Sequence, residues 1–199
     1  MALPIYASPL ERARETAAPI GAARGMKVQI DKGLLECDFG DWTGAELSKL
    51  MKLPEWNTVQ RAPSTFRFPN GESFTEMQTR MVSAVDRLRA KHAGGTIVCV
   101  SHADPIKALV AHAMGTHIDL FQRIVISTCS VTAIAYGMGA PVVLTVNSTG
   151  GSLAELLAVD VTAMPFGLAA RATAAAMCGD RGGALADVAA VENVELRVY

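Results

Sequence analysis

The sequence predicts an α/β protein with a mostly parallel sheet and an antiparallel hairpin at its edge. Two apolar, strand-like runs, Leu3–Ala7 and Thr96–Val100, are each followed at once by a segment with helix-start residues and helical spacing of apolar side chains. Short β-branched runs of this kind are typical of strands inside a parallel sheet. Two alternating segments, Ser130–Tyr136 and Val142–Asn147, flank a glycine- and proline-containing turn and predict the hairpin.

The first third of the chain alternates short elements with loops. Ser8-Pro9 is a favourable helix start and predicts a helix over Leu10–Arg24, in which Pro19 would introduce a kink. Gly25 ends this helix, and Val28–Ile30 is the next predicted strand. A loop that mixes apolar and acidic residues then leads to a short helix over Glu46–Lys52.

The region that follows contains the longest loop and the best helix. Residues 53–69 hold three prolines and three aromatic residues, and long structured loops of this kind often cover a binding site. Ser73 and Glu76 form a capping-box pattern, and apolar residues then recur at helical spacing as far as about His92. Asp104 would cap the helix after the central strand, and Gly115 would end it.

Composition narrows the class of protein. Half of the 199 residues are hydrophobic and the formal net charge is −1, so the chain can bury a core and lacks the basic field of a nucleic-acid or membrane binder. We expect one domain over residues 1–150 and a loosely packed, alanine-rich extension over residues 151–199. Four dispersed cysteines without metal-ligand spacing predict reduced thiols, and no secretory signal is visible, so a cytoplasmic location is expected.

Candidate functional residues lie at the strand ends and in the acidic loop. His102 follows a predicted strand and precedes a helix, where open α/β sheets bind ligands and where backbone N–H groups favour phosphate or carboxylate. Glu36, Asp38 and Asp41 lie among large apolar residues, and desolvation would raise the pKa of such a carboxyl toward that of a general acid. The alternatives are a histidine bonded to a loop carbonyl and solvated acidic turn residues.

Four spaced motifs, taken together, resemble the histidine phosphatase superfamily, the phosphoglycerate-mutase-like proteins. They are Ser8-Pro9-Leu10-Glu11-Arg12, Glu36 in its Leu-Glu-Cys-Asp-Phe-Gly context, Gly71-Glu72-Ser73, and Ser101-His102. The resemblance covers about residues 3–150 and is strongest to the actinobacterial-type phosphomutases of that group. It implies a three-layer α/β/α sandwich.

The resemblance also implies a role for each matching residue. Arg12 and His102 match the phosphate pocket, in which a guanidinium binds phosphoryl oxygens and a cationic imidazole stabilises the developing charge. Glu36 matches the acid that protonates the leaving oxygen, whereas Glu72 and Ser73 match a substrate-side motif. Ser8, in the same motif as Arg12, is expected to contact phosphate. No metal or other cofactor is implied. The alternative for Arg12 is an ion pair with a glutamate on its own helix.

The sequence departs from the family pattern at its start. Family members begin with a central strand that ends in Arg-His-Gly, whose histidine is the phosphorylated nucleophile. This sequence starts where the family enters its second strand, and none of His92, His112 and His117 lies between an arginine and a glycine. We therefore expect an N-terminally truncated fold that lacks the usual first strand, or a gap filled by Val194–Val198. Ala103 also stands where the family usually has glycine.

These observations leave two main functional hypotheses, beside a third in which the chain is a purely structural remnant. The first is a phosphatase or phosphomutase that acts on a small phosphomonoester, with doubtful activity because the nucleophile segment is missing. The second is a catalytically inactive module that binds a phosphorylated ligand. In both cases the expected partner is a small phosphorylated metabolite. An edge exposed by an absent strand would favour pairing between two copies of the chain.

Overall fold

The computed structural model describes residues 3–137, 139–150 and 171–176. Within these ranges the strands are β1 (Ile5–Ala7), β2 (Val28–Ile30), β3 (Ile97–Val100), β4 (Val131–Tyr136), β5 (Val142–Ser148) and β6 (Arg171–Ala176). The α-helices are α1 (Glu11–Ala23), α2 (Leu47–Leu50), α3 (Trp56–Arg61), α4 (Phe74–Lys91) and α5 (Ala103–Ala113). Short 3₁₀ turns join several of them.

The described strands form one mixed sheet in the order β2-β1-β3-β6-β4-β5. β1 pairs in parallel with β2 and β3, and β3 pairs in parallel with β6. β4 runs antiparallel to both β6 and β5, so that β4 and β5 form a hairpin at the edge of the sheet. The predicted mostly parallel sheet with an edge hairpin is confirmed.

The position between β3 and β4 is occupied by a strand from the C-terminal extension. β6 pairs in parallel with β3 from Ile97↔Thr173 to Val100↔Ala176, and its other edge pairs with β4. The sheet is therefore continuous across the place where a missing first strand would leave a gap. The suggested filler, Val194–Val198, lies outside the described residues, as does the rest of the extension apart from β6.

Helices cover both faces of the sheet, which gives the three layers implied by the resemblance. Ile5 and Ala7 point to the α1 face, where they join Ala13, Ala17 and Ile20 in one buried cluster. Side chains of α4 and α5 pack on the opposite face, against the alternate strand residues. That second cluster includes Tyr6, Met81, Val85, Leu88, Ile97, Cys99, Ile106 and Leu109. The alternation follows from the two-residue period of a strand.

Most predicted elements agree with the structure, and two differ. Residues 53–69 are not a plain loop, because they contain α3 and a 3₁₀ turn. Asp104 does not cap α5: the N-cap residue is His102, and Asp104 lies inside the helix and pairs with Lys107. Gly115 adopts a φ of +65° just after α5, as predicted for a helix end that needs the left-handed conformation.

Two further sequence expectations can be compared with the structure. Cys37 and Cys99 are free and buried, whereas Cys129 is disulfide-bonded, so the prediction of reduced thiols is wrong for Cys129. Local sequence spacing carries no information about which thiols meet in space. Among the helices of the described residues, none combines the length and the apolar character needed to cross a membrane.

Candidate active site

The site is built where two parallel strands end side by side. β1 and β3 pair in register from Ile5↔Val98 to Ala7↔Val100, so the residues after them emerge at the same edge of the sheet. The backbone N–H of Ser8 donates to the Val100 carbonyl oxygen at 2.9 Å, which extends this pairing by one residue. Ser8 and His102 are thereby brought together although 94 positions separate them in sequence.

His102 is buried and held at both ring nitrogens. Arg12 donates from Nε to His102 Nδ1 at 3.1 Å, so Nδ1 carries the lone pair and the ring proton lies on Nε2. Nε2 in turn lies 2.8 Å from the Ser8 hydroxyl oxygen. Burial and the positive charges of Arg12 and Arg80 lower the pKa of His102 to about 4. The imidazole is therefore neutral at neutral pH in the protein without a ligand, and a cationic imidazole during the reaction stays a prediction.

Arg12 projects from the first turn of α1 and connects His102 with Glu36. Its side chain is 61% exposed, and its Nη2 lies 3.9 Å from Glu36 Oε2. Nε is bonded to His102, and the terminal nitrogens belong to the end of a largely exposed side chain that lines the neighbouring cavity. A guanidinium held at its base and exposed at its end can present two parallel N–H groups to an anion.

Glu36 is a carboxyl group that favours its protonated form. Burial raises its pKa from 4.5 to about 7, and the neighbouring Asp104 acts in the same direction. The nearby Arg12 opposes this shift, but at 3.9 Å from a largely exposed guanidinium the attraction is weak, so burial determines the net effect. A pKa near 7 suits a general acid at neutral pH.

Arg80, on α4, fixes the loop that carries Glu36. Its Nη1 donates to the carbonyl oxygens of Gly33 and Leu35, both at 3.0 Å, and its Nη2 donates to the carbonyl oxygen of Glu36 at 3.1 Å. Three consecutive bonds to the backbone of one loop leave it little freedom. The sequence reasoning missed Arg80, although an arginine inside the apolar repeat of a helix was a signal that it points toward other protein groups.

Glu72 and Ser73, predicted on the substrate side, make structural contacts in this protein. Glu72 pairs with Arg80 and accepts a hydrogen bond from the Asp38 N–H at 3.2 Å. Ser73 caps α4 in a complete capping box with Glu76. Neither residue is among those that line the neighbouring cavity. Their role in substrate binding stays a prediction.

Asp104 is a member of the site that the sequence reasoning treated as a helix cap. It lines the cavity beside Glu36, and its Oδ1 accepts from Lys107 Nζ at 3.0 Å. Both side chains are largely buried, with 19% and 16% of their surface exposed. The signal that could have found Asp104 is its place two residues after His102, in the first turn of a helix that starts at the strand ends.

A cavity of about 610 Å³ opens beside these polar groups. Arg12, Glu36 and Asp104 form its polar end, and aromatic or aliphatic side chains form most of the remaining wall. The apolar lining comprises Leu10, Phe39, Trp42, Ala45, Leu47, Leu50, Trp56, Val59, Phe68 and Phe74. A site of this composition can bind an anion at one end, supply a proton there and hold an apolar group at the other end.

The comparisons with known proteins agree with this geometry. Residues 2–149 match the family described as the histidine phosphatase superfamily (branch 1). The bifunctional protein Rv2228c of Mycobacterium tuberculosis is 32% identical over 148 residues, which are 73% of this chain and 41% of that protein. Phosphoserine phosphatase 1 of Hydrogenobacter thermophilus is 29% identical over 147 residues, 73% of this chain and 70% of that protein. The chain thus spans less than half the length of the mycobacterial relative.

Solved structures show the same fold. Bacillus stearothermophilus YhfR superposes with a TM-score of 0.69 at 27% identity, covering 74% of each chain. The mycobacterial glucosyl-3-phosphoglycerate phosphatase Rv2419c, in complex with inorganic phosphate, gives a TM-score of 0.65 at 25% identity over 74% of this chain and 78% of its own. With the sequence match over residues 2–149, these likenesses show that the chain belongs to the histidine phosphatase superfamily (branch 1).

Proposed function

We propose that this chain binds the phosphoryl group of a small phosphomonoester at Arg12 and supports phosphoryl transfer of the phosphatase or mutase type. The observation that carries the proposal is the convergence of three groups: the guanidinium of Arg12 lies 3.1 Å from the His102 ring and 3.9 Å from the Glu36 carboxyl. A cation and an imidazole can bind and orient a phosphate ester, and a protonated acid can assist its cleavage. The metabolite partner and a cytoplasmic location stay predictions.

Each group has a definable part in the reaction. The terminal nitrogens of Arg12 donate to phosphoryl oxygens, while His102 and Ser8 hold the guanidinium in place through the Nε–Nδ1 bond. Glu36, with a pKa of about 7, donates its proton to the oxygen of the departing alcohol while a water molecule attacks the phosphorus, and the protons of that water stay on the phosphate that is released. Because Nδ1 accepts from Arg12 and Nε2 lies against the Ser8 hydroxyl, His102 acts in this arrangement by positioning Arg12.

A second candidate function is binding without turnover, and the positions of the histidines favour it. The sequence contains four histidines and no Arg-His-Gly segment. His92 is bonded to the Tyr6 hydroxyl, His112 lies in the last turn of α5, and His117 caps a 3₁₀ turn. In the described residues, His102 is therefore the sole histidine at the anion site, and its two ring nitrogens are occupied. A reaction through a phosphohistidine would therefore need a histidine nucleophile other than His102.

Binding and turnover can be measured separately. We expect inorganic phosphate to bind the wild-type chain in calorimetric titrations, and Arg12→Ala to lower that affinity about tenfold to a hundredfold, since charge-assisted hydrogen bonds contribute about 1.5–3 kcal/mol. The matched control is Arg14→Ala, which removes an exposed arginine from the same helix. Equal phosphate affinity in wild type and Arg12→Ala would remove the proposed site.

Hydrolysis of phenyl phosphate, whose poor leaving group needs protonation by a general acid, then separates the two candidate functions. Turnover that is abolished in Glu36→Gln, with phosphate affinity retained, supports the enzyme. Phosphate binding without turnover in the wild-type chain supports the binding module. His102→Gln, which keeps a polar side chain at a buried position, should weaken phosphate binding in both cases because it loosens Arg12.

A further inference from the structure

The cavity beside Arg12 continues the proposed phosphate site into a space much larger than a phosphate group. It has a volume of about 610 Å³ and begins at the three ionisable side chains of Arg12, Glu36 and Asp104. It then runs beneath the short helices α2 and α3. Whatever alcohol is esterified to a phosphate held at Arg12 must extend into this space.

The wall of the cavity is a set of packed aromatic rings. Trp42 lies 5.4 Å from Phe68 in an edge-to-face contact and 6.4 Å from Trp56 in a nearly parallel one. Phe39 meets Phe68 edge to face at 5.1 Å. Rings fixed by such contacts form a preorganised surface, which lowers the entropy cost of binding a flat apolar group.

Part of this apolar wall is open to solvent. Leu47, on α2, lines the cavity and is 59% exposed. Trp42 and Trp56 are half-buried. An apolar group placed against these side chains would remove their surface from water, which is favourable at about 25 cal/mol per Å².

The charges around the cavity restrict the ligand further. Among the described residues that line it, Arg12 is the one cation, and the proposed phosphoryl contact uses it. The remaining ionisable groups of the lining include the carboxyls of Glu36 and Asp104. Lys107 already lies 3.0 Å from Asp104 and 3.3 Å from Gln122. A second anionic group on the ligand would therefore meet carboxyls and aromatic rings without a counter-charge.

From this shape and charge we infer that the site accepts phosphomonoesters of uncharged aromatic alcohols in preference to esters that carry a second anionic group. The aromatic ring of the alcohol lies against Trp42, Trp56 and Leu47, and its ester oxygen faces Glu36. The inference rests on the proposed phosphate site and adds its substrate class. It differs from the substrates in the names of the relatives, phosphoserine and glucosyl-3-phosphoglycerate, which both carry a carboxylate.

Four probes test the inference on the wild-type chain: inorganic phosphate, methyl phosphate, 1-naphthyl phosphate and 3-phosphoglycerate. We expect 1-naphthyl phosphate to bind at least about tenfold more tightly than methyl phosphate, and 3-phosphoglycerate to bind no more tightly than methyl phosphate. If the chain hydrolyses the esters, kcat/KM is compared in place of Kd.

Variants locate the effect in the cavity. Leu47→Ser should lower the ratio of 1-naphthyl to methyl phosphate affinity without changing the affinity for inorganic phosphate. Because Leu47 is mostly exposed, this change leaves the fold intact. Trp56→Ala should lower the same ratio further. Met51→Ser is the matched control, since Met51 is 56% exposed just after α2 and does not line the cavity.

The outcomes separate the two claims. Equal affinity for 1-naphthyl and methyl phosphate, with inorganic phosphate bound, overturns the inference and leaves the phosphate site standing. Tighter binding of 3-phosphoglycerate than of methyl phosphate overturns it as well. Failure of inorganic phosphate and all three esters to bind overturns the proposed function and the inference with it.

Discussion

Replacing Glu36 by glutamine should make the protein more stable at alkaline pH and change its stability little at acidic pH. Burial raises the pKa of Glu36 from 4.5 to about 7. Between these two pH values the folded chain holds a proton that the unfolded chain has released. The free energy of unfolding therefore falls as pH rises through this window, and the loss is complete above about pH 7. Glutamine has nearly the same shape but does not titrate, so the Glu36→Gln variant does not lose this stability as pH rises.

The magnitude follows from the size of the shift and the exposure of the side chain. A rise from 4.5 to about 7 corresponds to at most about 3.5 kcal/mol at ~1.4 kcal/mol for each pKa unit. Glu36 is 19% exposed, and water at its edge reduces the penalty. The substitution also removes the ion pair between Glu36 and the largely exposed Arg12, which contributes less than about 1 kcal/mol to stability. We expect a net gain of about 1–2 kcal/mol at pH 8.

Urea unfolding at pH 5 and pH 8 measures this gain as a difference between variant and wild type. His102 titrates in both proteins, so its contribution cancels in the comparison. Glu46→Gln is the control, because it makes the same chemical change at an exposed carboxylate paired with Lys49. The reasoning is refuted if the difference between Glu36→Gln and wild type is the same at both pH values, or if the variant becomes less stable than wild type at pH 8.

Three further substitutions test how the loops around the site are held. Arg80→Met should destabilise the chain by about 3–5 kcal/mol, because it leaves the partly buried carboxylate of Glu72 without its partner. A loss of stability below about 1 kcal/mol in urea unfolding would contradict this expectation. Ser73→Ala removes a complete capping box and should lower the free energy of unfolding by about 1 kcal/mol. Ser83→Ala, a matched change inside the same helix, should not lower it by that amount. Gly40→Ala should lower Tm by several degrees, because Gly40 has a φ of +51° and a Cβ there would lie 2.0 Å from the Pro69 carbonyl oxygen. An unchanged Tm would show that the loop can shift to accommodate the methyl group.

Local signals predicted the elements that depend on neighbours in sequence. The capping-box pattern of Ser73 and Glu76 predicted the start of α4, and the apolar repeat that follows it predicted which face of the helix is buried. The alternation in β4 and β5 predicted the hairpin. Where local signals failed, tertiary contacts were the reason: Asp104 has the residue type of a cap, yet it faces Lys107 from inside α5.

Part of the candidate site was predictable from the sequence, and its chemistry was less so. Four motifs named Arg12, Glu36, Ser8 and His102, and the structure brings these four together. The protonation state of His102 was not predictable, because it depends on burial and on the positive charges of Arg12 on α1 and Arg80 on α4. The aromatic cavity was not predictable either, since its wall joins residues from several separate loops and helices.

The amino-acid sequence alone determined the α/β class, the family and four of the candidate site residues, Ser8, Arg12, Glu36 and His102, because each of these depends on residue type and spacing along the chain. The tertiary structure alone decided that a strand from beyond residue 170 pairs between β3 and β4. It also decided that Glu36 is desolvated enough to keep a proton near neutral pH. Both outcomes depend on groups distant in sequence, and the free energies of strand pairing and desolvation are defined only once those groups are packed together.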